Sequence, residues 1–368
     1  MSYIVSLKNA STAGISAVGG KACALSRLMN MGVSVADGIC ITTAAYQDYM
    51  TRTGLGNQIA ALLMRKQFED MRWEEIWDIA LRIRNQFLQH PIPEPLTAVL
   101  LKKIRDTFSD KPVAVRSSAP EEDAGSSSFA GLHDSFINIS GADNILQHVL
   151  LVWASLWSDR ALLYRKEIGL QTNQSTMGVI LQEIIVGERS GIAFTQHPSV
   201  ADRGVIEAVY GLNQGLVDGT VEPDRWIINK SPLHIFQRQE AVRTHALRPS
   251  AQGVTLMPLD APEQTRPPLA EEEALHVFRQ ALKVEKLFGI PQDTEWTLRA
   301  DAFYLLQARP ITRIHAEPEE DVRSWYLSLS RSHENLVLLQ KRIERELLPA
   351  MEAEANEWAT VNLDTLRD

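Results

Sequence analysis

Apolar positions along this chain follow two periods, and the change from one to the other organises it. Leu25, Leu28 and Met29 recur at helical spacing inside GGKACALSRLMNMG (19–32), which predicts a helix opened by Gly19-Gly20 and closed by Gly32. The same spacing predicts helices over 43–66 and 73–89. In the latter, Trp73, Ile76, Trp77, Ala80, Ile83 and Phe87 define one apolar face. The run HPIPEP (90–95) interrupts the pattern, because proline excludes its predecessor from helical geometry. Another helix is expected over 96–108.

After a short strand at 4–6, period-two segments dominate only from residue 110 onward. PVAVR (112–116), GIAFT (191–195), GVIEAVY (204–210) and RWIIN (225–229) read as strands. MGVILQEIIV (177–186) is apolar at successive positions, as a strand covered on both faces should be. Helices are expected at 145–169 and 271–289, each ended by glycine. A polar, Pro-rich stretch at 246–268 reads as a loop. Segments 293–298 and 302–307 read as a hairpin around Arg299-Ala300-Asp301. HAEPEED (315–321) reads as a hinge. Beyond it Leu336, Leu339, Ile343 and Leu347 form an apolar stripe on a charged helix, the start of a further domain or an arm that packs elsewhere.

Charge narrows the possible partners. The net charge is −9 over 368 residues, which disfavours generic binding to a nucleic-acid backbone. An anionic ligand would need a local basic pocket. The 2 cysteines, Cys23 and Cys40, support neither a disulfide framework nor a zinc site, and a reducing, cytoplasmic setting fits. No apolar run approaches a membrane span or the core of a signal peptide.

Four groups of residues carry candidate chemistry. Gly19-Gly20-Lys21 could bring backbone amides and an ammonium to a phosphate, although the P-loop spacing is absent and a plain glycine turn fits as well. In VAVRSSAPEEDAGSSSFAGLHDSF (113–136), Arg116 offers a planar fork at the end of a strand. The serine- and glycine-rich loop after it could fold over a polyphosphate. The competing account pairs Arg116 with Glu121, Glu122 or Asp123 beside a solvent loop. Gln182-Glu183 are polar residues in an apolar strand, suited to reading a purine edge or to marking a sheet edge. Glu295 and Gln307 share a face if the hairpin between them has an odd count. They then form part of an oxygen shell for Mg²⁺, with Arg309 just beyond. Glu207 could face the same cleft.

Taken in order, Gly19-Gly20-Lys21, the 113–136 stretch, VWASLWSDRALLYR (152–165), SGIAFTQHP (190–198), GLNQGLVDGTVEPDR (211–225) and QDTEWTL with FYLLQARPIT (292–312) resemble one family. It is the nucleotide-binding domain of phosphoenolpyruvate synthase and pyruvate phosphate dikinase, to which rifampicin phosphotransferase has a similar domain. The resemblance covers about 1–314. It implies an α/β (α+β) ATP-grasp fold with two lobes closing on ATP: 1–176 with the phosphate-binding loops, 177–314 with the adenine- and Mg-binding strands, then 315–368 as linker and helical extension. It further implies that Lys21 and Arg116 hold phosphates and that Gly131 and Ser135 belong to the covering loop. Gln182 and Glu183 would meet adenine, Glu295 and Gln307 would bind Mg²⁺, and Arg309 would reach the outer phosphates. Lys21, Arg116 and Arg309 would be the catalytic cations.

Three positions depart from the family pattern. GVSVADGI (32–39) stands where a GVPVPPGF-like run is usual. GLNQG (211–215) stands where GLGEG is usual, which puts an acid there in doubt. His197 stands where Asp or Asn is frequent and is assigned no catalytic role. None of the 9 histidines lies in the GG-x-TSH-A-like context of the phosphoryl-carrying histidine. The expectation is a nucleotide-binding half, truncated or part of a split enzyme. It would pass a phosphoryl group from ATP, with AMP and phosphate formed, to a histidine on a separate domain and then to an acceptor such as pyruvate. An antibiotic hydroxyl as acceptor, a non-catalytic ATP sensor and an acyl-phosphate-forming ligase are the rival expectations.

Overall fold

A computed structural model describes residues 2–66, 68–120, 132–167, 175–251, 253–311, 340, 343–349 and 351–352. The chain forms one compact unit over Met1–Arg313 and a second over Ile314–Asp368. Of the tail stripe, Leu336 and Leu339 lie outside the described residues, and Ile343 opens a helical turn, Ile343–Leu347.

Two antiparallel sheets build the first unit. β1 (Ile4–Ser6), β2 (Gly38–Ile41), β3 (Val113–Ser118), β4 (Ser135–Ile139) and β5 (Gly178–Glu183) assemble in the order β1-β2-β5-β3-β4. β6 (Arg189–Phe194), β7 (Arg203–Tyr210), β8 (Asp224–Asn229) and β9 (His234–Gln239) follow. After the hairpin of β10 (His245–Ser250) and β11 (Gly253–Pro258) come β12 (Gln292–Arg299) and β13 (Ala302–Pro310). The second sheet has the order β13-β12-β6-β7-β8-β9. The change of sheet therefore falls after Glu183: β5, on the far side of the expected 176/177 boundary, lies inside the first sheet between β2 and β3.

The first sheet is covered on both faces, as the unbroken apolar run of β5 predicts. Val179 and Leu181 join a large core with Tyr49, Phe87 and Trp153, while Ile180 packs on the opposite side with Leu7, Val18, Leu25 and Cys40. The second sheet is covered on one face by the helix Glu271–Phe288, whose Val277, Phe278 and Ala281 meet Trp296 and Leu298. Strand alternation then sends Asp293, Glu295 and Thr297 to the other face. The helix Gly20–Asn30 joins the two sheets: Leu25 packs with the first, and Leu28 packs with Leu305 and Ala308 of β13.

Several expectations are corrected. The helix expected over 43–66 is two, Thr43–Thr53 and Leu55–Leu63, separated where Gly54 takes φ 70°. The helix expected over 145–169 is also two, Ala142–Ser155 and Asp159–Glu167, and residues 168–174 lie outside the described set. Residues 246–268 are the β10–β11 hairpin and a short helix, Ala261–Thr265, capped by Asp260 through Glu263 N–H. On Trp73–Gln89 the buried stripe is Ile76, Ala80, Ile83 and Phe87. Trp73 and Trp77 are not part of it, being 64% and 52% exposed. Among the described residues no helix is long and apolar enough to cross a membrane.

Candidate functional site

The two sheets meet at Arg116, on the face of the first sheet that also carries Ile180. In the first sheet Arg116 stands opposite both Ser135 of β4 and Ile180 of β5, and two positions along Ala114 stands opposite Gln182. Directly paired residues share a face, so Arg116, Ser135 and Gln182 lie on one side. Glu183 alternates to the other, where its carboxylate accepts hydrogen bonds from Lys111 Nζ at 3.0 and 3.2 Å. Gln182 is buried, and its Nε2 donates to the Ala36 carbonyl at 3.0 Å. β5 is interior, so this pair does not mark a sheet edge. Ser135 is exposed at the start of β4, and Gly131 and Glu121–Asp123 lie outside the described residues.

The Gly19-Gly20-Lys21 turn abuts the C-terminal end of β3. Gly19 has φ 81°, and a Cβ there would come within 2.1 Å of the Ser118 carbonyl oxygen. The glycine is therefore required by close packing as well as by backbone angle. Gly20 N–H donates to the Ala119 carbonyl at 3.3 Å and Ala22 N–H to Ser118 Oγ at 3.1 Å, so these two amides are already engaged. Lys21 Nζ reaches Ser117 Oγ at 3.3 Å, one residue from Arg116.

A bulge sets the second half of the site. Ala300 and Asp301 have φ 46° and 65°, the pair of positive angles that a two-residue type I′ turn requires. Regular pairing from that turn would place Leu306 opposite Glu295. The register instead shifts between Trp296, paired with Leu305, and Glu295, paired with Gln307. Leu306 is the extra residue, and the bulge supplies the odd count that puts Glu295 and Gln307 on one face. The carbonyl of Leu306 turns to Arg116, whose Nη1 donates to it at 2.8 Å. Arg116 Nη2 lies 3.3 Å from Glu295 Oε2. The same oxygen accepts from Asn213 Nδ2 at 3.2 Å.

Further acids sit on this face. Glu207 and Glu295 both stand opposite Ile192, in one row, and Arg225 Nε holds Glu207 Oε1 at 2.8 Å. Asp293 accepts from Arg309 Nε at 2.7 Å. Burial pushes the Asp293 carboxyl up from its ordinary value, Arg309 opposes this, and nearby Glu295 and Glu207 reinforce it. His197 lies in the connection between β6 and β7, its Nδ1 accepting from Ser199 N–H at 3.1 Å.

The structure thus brings together Arg116, Glu295, Gln307 and Arg309, with Lys21 at the end of the same strand as Arg116. Two contributors are invisible in local sequence: Asn213, 82 residues from Glu295, and the bulge carbonyl of Leu306. The donor set fits a hard cation. A carboxylate and an amide stand side by side, and the buried Asn213 Oδ1 next to them accepts no hydrogen bond. Among the described residues no group of three His, Cys, Asp or Glu side chains could hold a metal. Any cation here would need oxygens from a ligand as well.

The family model for the pyruvate phosphate dikinase AMP/ATP-binding domain matches residues 15–328, and the chain belongs to that family. A rifampicin phosphotransferase from Streptomyces sp is 33% identical over 91% of this chain and 39% of its own length. Another, from Bacillus cereus, is 34% identical over 87% of this chain and 37% of its own length. A probable phosphoenolpyruvate synthase from Methanocaldococcus jannaschii is 30% identical over 87% of this chain and 27% of its own. The chain thus spans about two fifths or less of the length of these relatives.

Proposed function

We propose that this chain is the Mg-ATP-binding part of a dikinase-type phosphotransferase, an ATP-grasp domain whose two lobes carry the two sheets and close on the nucleotide. One observation carries the reading. Arg116 of β3 in one sheet is ion-paired to Glu295 of β12 in the other, so a cation and an acid suited to phosphate and metal face each other where the two sheets meet.

In this reading Lys21 and Arg116 hold phosphate oxygens, with Gly131 and Ser135 in the covering segment. Gln182, Glu183 and the residues after them lie along adenine. Arg309, steadied by Asp293, neutralises charge at the outer phosphates. Glu295 and Gln307 are the protein ligands for Mg²⁺, which when bound supplies charge neutralisation of the phosphate oxygens. The chain's own contribution to catalysis is position and charge, with little covalent chemistry. The phosphoryl group leaves on a histidine of a separate domain and passes to an acceptor such as pyruvate, in a cytoplasmic setting. A second reading is supported by the rifampicin phosphotransferases among the relatives, 33% and 34% identical: the final acceptor would be an antibiotic hydroxyl.

Calorimetric titration with adenylyl imidodiphosphate and Mg²⁺ tests the binding site. Wild type binds, and Arg116→Ala and Glu295→Ala lose productive binding while melting as folded proteins. Wild-type affinity in both variants would refute the assignment. Adding a purified phosphohistidine domain and ATP should then yield AMP; ADP as sole product would point to a ligase, and no turnover to a sensor.

A further inference from the structure

Glu295 is held by two donors to a single oxygen, and the proposed function removes one of them. Arg116 cannot both keep its ion pair with Glu295 Oε2 at 3.3 Å and turn its fork to a phosphate. Once it turns away, the donor that the described structure leaves on that oxygen is Asn213 Nδ2, at 3.2 Å. We infer that Asn213 is a positioning residue for the metal-binding carboxylate: it holds Glu295 in register with Gln307 when the nucleotide draws Arg116 away. This inference rests on the nucleotide-site reading of the same cleft.

Four observations support it. Asn213 is 5% exposed, so its amide is not a solvated surface group. Its place is set by backbone on either side: Leu212 N–H donates to the Leu247 carbonyl at 2.8 Å, and Leu216 and Val217 N–H both donate to the Asn213 carbonyl at 3.1 Å. Its amide orientation is determined, because the reverse would put Oδ1 against a carboxylate oxygen. Finally, Asn213 Oδ1 is buried without a hydrogen-bond partner, and so is Oε1 of the neighbouring Gln214. A buried amide oxygen left unsatisfied costs about 1–3 kcal/mol, and such groups persist where a ligand completes them. A water of a hydrated divalent cation beside Glu295 is a donor of the right kind for Asn213 Oδ1.

The neutral side chain also suits the position. Glu295, Asp293 and Glu207 already concentrate negative charge on this face. A carboxylate at 213 would repel Glu295; an amide donates to it. The departure at GLNQG, where Asn213 takes the place of the second glycine of GLGEG, thus becomes a specific arrangement, in which a residue from the loop after β7 orients an acid on β12.

The test compares wild type with Asn213→Leu and Asn213→Ala in the full chain. Three quantities are read: Mg²⁺ affinity at saturating adenylyl imidodiphosphate, affinity for that analogue in EDTA, and melting temperature. Leucine keeps the volume while removing the donor and the unsatisfied acceptor. A positioning role predicts Mg²⁺ affinity about ten-fold weaker, as for partners that orient metal ligands, with metal-free analogue affinity within about two-fold and the melting temperature of Asn213→Leu unchanged or raised. Asn213→Ala serves if leucine does not fold. Wild-type Mg²⁺ affinity in a folded variant, or equal loss with and without metal, overturns the inference while leaving the nucleotide site standing. If wild type binds no analogue under any condition, the nucleotide reading fails and this inference with it.

Discussion

Arg116 and Glu295 are partners 3.3 Å apart from opposite sheets, their side chains only 12% and 16% exposed. Each neutralises the other, so under the proposed function phosphate and metal must separate them. Under that proposal, nucleotide binding would free Glu295 for a cation, and cation binding would free Arg116 for phosphate. The two are therefore coupled with positive sign. Mg²⁺ alone should bind wild type weakly and should bind about ten-fold or more tightly once adenylyl imidodiphosphate is present, taking a charged hydrogen bond as worth about 1.5–3 kcal/mol. Arg116→Met should weaken the analogue yet strengthen Mg²⁺ alone, because Glu295 is no longer neutralised. Calorimetry in both orders of addition checks this, and weakening of both ligands by Arg116→Met would contradict it.

The bulge at Leu306 makes a separate prediction. Deleting Leu306 restores regular pairing from the Ala300-Asp301 turn, which keeps Glu295 opposite Gln307 and Asp293 opposite Arg309. What disappears is the out-of-ladder carbonyl that accepts from Arg116 at 2.8 Å. The deletion variant should fold, retain its hairpin register in amide exchange, and bind the nucleotide analogue roughly ten-fold less tightly. Unchanged affinity would show that the bulge does not orient Arg116.

Gly19 and Gly14 provide an internal comparison. Both have positive φ, 81° and 86°, but a Cβ at Gly19 would strike the Ser118 carbonyl at 2.1 Å, whereas nothing lies within 4 Å of one at Gly14. Gly14→Ala should therefore cost only backbone strain, about 1–3 kcal/mol for a side chain at φ 86°, ψ 157°. Gly19→Ala adds a clash with backbone that cannot rotate away and should cost roughly 3 kcal/mol or more, or prevent folding. Urea denaturation of the two variants measures the difference, and equal costs would show that the approach to Ser118 is not tight.

Much of this site is legible in the sequence because its parts are local. Arg116 closes the apolar run of a strand that continues to Ser118, and Glu295 and Gln307 flank one hairpin, so period-two counting places them. Their shared face nevertheless depends on a one-residue bulge that no composition signal marks. Asn213 is missed because its partner is set by sheet order, not by spacing. In Trp73–Gln89 helical periodicity accepts Trp73 and Trp77 beside Ile76, yet the groove takes only the stripe through Ile76, Ala80, Ile83 and Phe87. The β10–β11 hairpin is hidden by Pro249, Pro258 and many polar residues, which a two-stranded, partly exposed ribbon tolerates. Gly54 splits a continuous apolar pattern because it takes the left-handed conformation, for which glycine needs no special sequence context.

His133 gives the chain a defined acid sensitivity. It is 8% exposed, and burial, with the charges of Arg165 and Lys21, lowers its pKa from 6.5 to about 3. The folded protein therefore keeps this imidazole neutral where the unfolded chain protonates it. Between about pH 6.5 and 3 the unfolded state binds the extra proton, so stability falls as pH falls, by up to about 1.4 kcal/mol per pH unit from this group. His133→Gln removes that proton uptake. Urea midpoints measured from pH 7.5 down to 4.5 should converge, with wild type losing stability more steeply than the variant below about pH 6.5. Above that pH the two curves should run parallel. Parallel curves throughout would mean that His133 takes up its proton equally in both states, and that its surroundings, with Arg165 and Lys21, admit a third cation at no cost.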